Sequence, residues 1–144
     1  MQKTLVIGAN GQIGSELVDE LARQRGADNV IAADIGARSA TGARHYVSLD
    51  VLDAARLRQL VDEHDVAEVY HLAALLSVTG EAAPLRAWTL NMNGLLNVLE
   101  CARERGQAGK PLRVFWPSSI AAFGPNTPQV DTPQLAVMDP TTIY

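Results

Sequence analysis

This sequence has a single cysteine, Cys101, and only three histidines. A lone thiol excludes an internal disulfide and fits a reducing, cytoplasmic setting. His45, His64 and His71 stand at no metal-ligand spacing, so no metal site is expected. Basic residues are also in short supply: 12 Lys and Arg against 16 Asp and Glu give a net charge of −4. No cationic surface therefore invites nucleic acid or anionic lipid. Apolar runs are short, none approaching the about 18 residues that a membrane span needs. The first of them begins at Thr4, which leaves no room for a signal peptide. Internal repeats and low-complexity tracts are absent as well.

What remains is the composition of an ordinary globular protein, 47% hydrophobic and 19% charged. Its 144 residues read as one domain, long enough to bury a sizeable core. The informative stretch is Gly8-Ala9-Asn10-Gly11-Gln12-Ile13-Gly14. It follows Thr4-Leu5-Val6-Ile7, which reads as a buried parallel strand, and it opens a helical pattern on Ile13, Leu17 and Leu21. A glycine-rich strand-to-helix turn aims backbone N–H groups and a helix dipole at one spot, which suits a diphosphate. Gly8 allows the sharp turn, Gly11 the approach of the ligand, and Gly14 close packing of helix on strand. The spacing is GxxGxxG rather than the commoner GxGxxG, and by itself it would also fit a turn that binds nothing. Asp34 decides between these readings. It ends a second strand, Asn29 to Asp34, 20 residues beyond Gly14, the offset of the carboxylate that holds an adenosine ribose. A carboxylate there accepts from ribose hydroxyls and repels a 2′-phosphate, so NAD is favoured over NADP.

Strands and helices alternate along the rest of the chain, which predicts an α/β fold with a parallel sheet covered on both faces. The dinucleotide fingerprint makes it a Rossmann-type doubly wound sheet, strand order 3-2-1-4-5. The third strand is about His45 to Ser48, followed by Leu49-Asp50-Val51. Asp50 either accepts from an adenine amine or simply caps a loop. Asp53 caps a helix whose Leu57, Leu60 and Val61 form an apolar stripe. The fourth strand, Glu68 to Leu72, runs into Ala73-Ala74, small residues that leave room for a ribose and nicotinamide. His71 reads as a packed strand residue rather than a base. Residues 75–81 read as a loop leading into a long helix with Trp88, Met92, Leu95, Leu96, Leu99 and Ala102 on one apolar face. Cys101 is a small core residue on that pattern. Asn91 either bonds the backbone of a neighbouring strand beside the cofactor or faces water. The fifth strand, Leu112 to Trp116, leads to Pro117-Ser118-Ser119, and residues 124–143, interrupted by prolines, read as a functional or disordered connection.

Taken together, GANGQIG (8–14), the strand-end Asp34, HLAA (71–74), PSSIAAFG (117–124) and PTTIY (140–144) resemble the extended short-chain dehydrogenase/reductase superfamily. LLSVTGE (75–81), AWTLNMNGLLNVLE (87–100), FWPSSIAAFGP (115–125) and MDPTTIY (138–144) are similar to the bacterial NAD-dependent L-threonine 3-dehydrogenases related to UDP-galactose epimerase. The likeness covers essentially the whole chain. It implies that Gly8, Gly11, Gln12, Ile13 and Gly14 cradle the pyrophosphate of NAD and that Asp34 holds the adenosine ribose. It also implies that Leu49, Asp50 and Val51 line the adenine, while Leu72, Ala73 and Ala74 pass behind the nicotinamide ribose, with Asn91 nearby. Ser119 falls at the catalytic serine and Tyr144 at the catalytic tyrosine. Ser77, Thr79 and Gly80 fall in the amino-acid pocket with them. The implied reaction is oxidation of L-threonine to 2-amino-3-oxobutyrate, with a tyrosine as base whose pKa, ordinarily about 10, is lowered by a lysine four residues on.

That lysine lies beyond Tyr144, as do the family's last strands, its substrate domain and half of its homodimer interface. The expectation is therefore an N-terminal portion, residues 1–144, of a longer enzyme, with weak NAD binding and little or no turnover. Two other readings stay open: a nucleotide-sugar epimerase or dehydratase on the same scaffold, and a non-catalytic NAD-binding module.

Overall fold

The computed structural model describes residues 2–142. Five parallel strands form one sheet in the order β3-β2-β1-β4-β5, as the fingerprint predicts. They are β1 (Lys3–Ile7), β2 (Val30–Asp34), β3 (His45–Ser48), β4 (Val66–His71) and β5 (Arg113–Phe115). Alternate residues of each strand point to opposite faces, and both faces of the central strands are apolar because both are covered. Leu5, Ile7, Ile31, Ala33 and Val69 pack on one side against Leu57, Leu60 and Val61 of α2 (Ala54–Glu63) and Val98 and Cys101 of α5 (Gly94–Gln107). Val6, Val30 and Ala32 pack on the other side against Val18 and Leu21 of α1 (Gln12–Arg25). The sheet is doubly wound. Asp53 caps α2, its carboxylate accepting from the Arg56 N–H at 2.9 Å.

Three details depart from the sequence pattern. In α1 the inward stripe is Gly14, Val18 and Leu21, and Ile13 is 69% exposed. The expected loop over 75–81 contains a short helix, α3 (Ser77–Ala82), and the expected long helix is broken into α4 (Pro84–Trp88), a π-helical turn (Thr89–Asn93) and α5. The face of α5 that turns inward carries Gly94, Val98 and Cys101, while Trp88, Leu96 and Leu99 are exposed. Size explains this choice, because the helix lies so close to the sheet that a Cβ on Gly94 would come within 2.9 Å of the Val51 side chain. Only small residues fit there.

A charge is buried at the amino end of the sheet. Arg105 of α5 is only 7% exposed and donates to Asp62 and Asp65, at 3.0 Å each, and to the carbonyl of Val66 at 3.1 Å. Without those carboxylates the guanidinium would be a costly unpaired ion. Beyond β5 the described residues form only a 3₁₀ turn (Ile120–Ala122), yet they are tied down. Buried Thr127 accepts from Gly124 N–H at 3.0 Å and donates to Val137 O at 2.7 Å. Asp139 donates its N–H to Ala122 O at 3.1 Å and accepts from the Asn126 side chain at 2.8 Å.

Candidate functional site

Because all five strands are parallel, the turns after β1, β2, β3, β4 and β5 gather along one edge, the crevice in which open α/β sheets hold ligands. Gly8 sits there with φ +86°, in the left-handed region that a side chain disfavours, and its N–H donates to Ala33 O at 2.9 Å. A Cβ at Gly8 would lie 2.6 Å from the Ala73 nitrogen, and one at Gly14 would lie 2.1 Å from the Gly8 carbonyl oxygen. The turn therefore packs its own backbone, and Leu72-Ala73 of the β4 exit, closer than any other residue would permit.

Exposed Gly11 is the N-cap of α1 and contributes no capping side chain, and the first turn of the helix holds no acid. The N–H groups of Gln12, Ile13 and Gly14 have no acceptor four residues back and meet the positive end of the helix dipole. This is a cradle for an anion, and it fits the diphosphate of a dinucleotide. Ile13, 69% exposed, lies outside the core at this turn.

Asp34, half-buried at the end of β2, accepts from the Asn10 N–H at 2.9 Å. Its other oxygen lies 3.5 Å from the Gly36 nitrogen, at the limit of a hydrogen bond. Leu49 and Val51 are buried in the core, whereas Asp50 is exposed and accepts from the Leu52 N–H at 2.9 Å. The cap role considered for Asp50 is thus occupied.

Past β4, Leu72 and Ala73 are half-buried and Ala74 is exposed. Asn91, in the π-helical turn, accepts from Leu75 N–H at 2.8 Å and donates to Leu75 O at 3.1 Å. It bonds a backbone rather than facing water, but that backbone is the segment leaving β4 and not a strand. Ser77 and Thr79 lie exposed on α3, and Gly80 is buried, where an added Cβ would lie 3.4 Å from the Ala87 Cβ. Ser119, just beyond β5, is half-buried, and its Oγ accepts from the Ala121 N–H at 3.1 Å. That bond uses a lone pair and leaves the hydroxyl proton free. Tyr144 lies outside the described residues.

His71 is 1% exposed, and neither ring nitrogen has a hydrogen-bond partner among the described residues. Burial lowers its pKa to about 4, which keeps the ring neutral at physiological pH, as suits a packed strand residue. Two residues without a role assigned from sequence, Asn10 within the glycine motif and Tyr46 on β3, join the glycine turn to the loop after β2. A polar side chain where the turn needs only a small residue is the one signal for Asn10. A cavity of about 580 Å³ lined by Lys3, His64, Asp65, Arg105 and Lys110 lies at the opposite end of the sheet, and the ion pairs of Arg105 already occupy its charge.

The chain matches the NAD dependent epimerase/dehydratase family over residues 4–144. An uncharacterized epimerase/dehydratase of Staphylococcus saprophyticus is 48% identical over all of this chain, which spans 44% of that relative. Among solved structures, the GalE-like L-threonine dehydrogenase from Cupriavidus necator, in its holo form, is 52% identical. It superposes with a TM-score of 0.91 over 99% of this chain and 45% of its own. A UDP-glucose-4-epimerase from Stenotrophomonas maltophila, with bound NAD and formylated UDP-arabinopyranose, is 26% identical, with a TM-score of 0.84 over 100% of this chain and 44% of its own. This chain thus spans less than half the length of these relatives. Fold, glycine cradle and sequence match agree, and the chain belongs to the NAD-dependent epimerase/dehydratase family.

Proposed function

We propose that this chain is the NAD-binding portion of an L-threonine 3-dehydrogenase. The observation that carries the reading is the 52% identity, over 99% of the chain, to the Cupriavidus necator L-threonine dehydrogenase, twice the 26% shared with the Stenotrophomonas maltophila epimerase. The glycine cradle at 8–14 holds the diphosphate, and Asp34 accepts from the adenosine ribose hydroxyls. Leu72, Ala73 and Ala74 form the wall behind the nicotinamide ribose, with Asn91 keeping that backbone in place. Leu49, Asp50 and Val51 lie along the adenine.

Oxidising a secondary alcohol removes a hydride from carbon and a proton from oxygen. NAD, when bound, supplies the acceptor for the hydride. The proton falls to the chain. Ser119 is suited to orient the substrate oxygen, since its Oγ is fixed by the Ala121 N–H while its own proton remains available. Tyr144 is the base, taking the hydroxyl proton of threonine as the C3–O bond becomes a carbonyl; the product is 2-amino-3-oxobutyrate. A phenol with an ordinary pKa of about 10 needs a nearby positive charge to do this at neutral pH. Ser77, Thr79 and Gly80 belong to the amino-acid pocket.

The curated relatives carry epimerase/dehydratase names, which keeps a nucleotide-sugar epimerase as the second reading. A chimera distinguishes the two. This chain is exchanged for the corresponding part of the Cupriavidus necator enzyme and given NAD with either L-threonine or a UDP-sugar. Net NADH formation with threonine, abolished by Ser119→Ala and by Tyr144→Phe, is the expected result. A chimera that folds, binds NAD and interconverts a UDP-sugar without net NADH would replace this reading with the second.

A further inference from the structure

The ten residues between β2 and β3 form no helix or strand, yet their backbone is held at three points. Asn10 Nδ2 donates to Arg38 O at 3.1 Å, and Asn10 Oδ1 accepts from the Ala40 N–H at 2.7 Å. Tyr46, on β3, donates its hydroxyl to Gly36 O at 2.6 Å and accepts from Asn10 Nδ2 at 3.2 Å. The Asn10 backbone N–H meanwhile holds Asp34. Both amide protons and the amide oxygen of Asn10 are thereby used. The turn has no need of them, since its shape is set by Gly8, Gly11 and Gly14. The side chain at position 10 is spent on the loop.

That loop carries Arg38, which is exposed and forms no ion pair among the described residues. Arg44, at its far end, is already paired with Asp28 at 2.8 Å. A guanidinium near the adenosine ribose is the group that accommodates a 2′-phosphate, and it would offset the repulsion that Asp34 exerts. Whether Arg38 can do so depends on how far its backbone can move. Gly36, Arg38 and Ala40 each carry a tether that has to break before the loop backbone moves.

We propose that Asn10 and Tyr46 are positioning residues that lock the 36–40 loop, so that Asp34 meets the ribose while Arg38 is held back, and that this lock strengthens the preference for NAD over NADP that Asp34 sets. The inference rests on the placing of the adenosine ribose at Asp34. Asn10→Ala and Tyr46→Phe are each expected to weaken NAD binding about 3- to 10-fold, the worth of one or two net hydrogen bonds. Each is also expected to narrow the NAD/NADP affinity ratio by a similar factor. Because both act on one loop, the double variant should be less impaired than the sum of the singles. Adding Arg38→Ala to Asn10→Ala should restore the ratio, which a merely structural role for Asn10 would not do.

The test is calorimetric titration of NAD and of NADP into the protein and these variants, with thermal unfolding alongside. Ratios that narrow in the single variants and recover in the Asn10→Ala/Arg38→Ala protein support the lock. Ratios unchanged in both single variants, or unmoved by Arg38→Ala, overturn it, and Tyr46→Phe, which removes one hydroxyl, serves even if Asn10→Ala does not fold. Failure of the unaltered protein to bind NAD would instead overturn the placing of the cofactor, and the lock with it.

Discussion

The backbone N–H of Asn10 donates to the Asp34 carboxylate at 2.9 Å, so the glycine turn and the acid 24 residues later are one unit. The bond fixes one carboxylate oxygen and orients the group toward the edge where the turn presents its own N–H donors. Replacing Asp34 by Ala removes both this bond and the acceptor for a ribose. The expected loss in NAD affinity is about ten- to hundredfold, as for a charged hydrogen-bonding group. NADP binding should fall much less, since the repulsion of its phosphate goes too. Parallel titrations with the two cofactors check this.

Gly14→Ala sets a Cβ 2.1 Å from the Gly8 carbonyl oxygen, a contact that only backbone movement relieves. A cost of about 1–3 kcal/mol is expected, the range for overpacking, together with loss of the anion cradle. Gly42→Ala meets nothing within 4 Å and is the control. Chemical denaturation of the two variants should separate them clearly, with Gly42→Ala near the unaltered protein.

Asn91→Leu keeps the approximate volume and deletes both bonds to the backbone of Leu75. Leaving that half-buried N–H and carbonyl without partners costs about 1–3 kcal/mol. NAD affinity should fall as well, because the backbone so freed leads directly from Ala73-Ala74. Denaturation and NAD titration on the same variant report the two effects.

His71 titrates at about 4 in the folded protein against its ordinary 6.5. Above pH 6.5 the ring is neutral in both states. As pH falls the unfolded chain takes up a proton that the folded one refuses, so stability declines between about pH 6.5 and pH 4. Its full extent is roughly 3 kcal/mol. Carboxylates held low by arginines, such as Glu20 and Asp28, lose their contribution only at lower pH, within the carboxylate range. His71→Leu should therefore flatten the stability profile between pH 6.5 and 5 and leave the acid limb in place, as urea unfolding across pH will show.

Those features that depend on local pattern were legible in the sequence: the strand order, the glycine turn, Asp34 at the tip of β2, and Asp53 as a cap. Periodicity records which residues are apolar and ignores how large they are. It therefore puts Trp88, Leu96 and Leu99 on the inner face of a helix whose inward residues are Gly94, Val98 and Cys101, with Gly94 too close to Val51 for a side chain. Ile13 was placed inward for the same reason, although Gly14 and Val18 make the contact. Ser77-Val78-Thr79-Gly80 has poor helix propensity and no capping side chain, so α3 is invisible locally and exists by packing Gly80 on Ala87. Asn10 and Tyr46 meet across 36 residues of sequence, and no periodicity spans that distance.

The account depends above all on the cradle at 8–14 holding a dinucleotide whose ribose Asp34 selects. The most direct measurement is calorimetric titration of the unaltered protein with NAD and with NADP under the same conditions. Saturable heat with NAD, and affinity for NADP weaker by about tenfold or more, as repulsion of the 2′-phosphate by the half-buried Asp34 carboxylate demands, is the predicted result. No heat with NAD, or NADP bound as tightly, would contradict it.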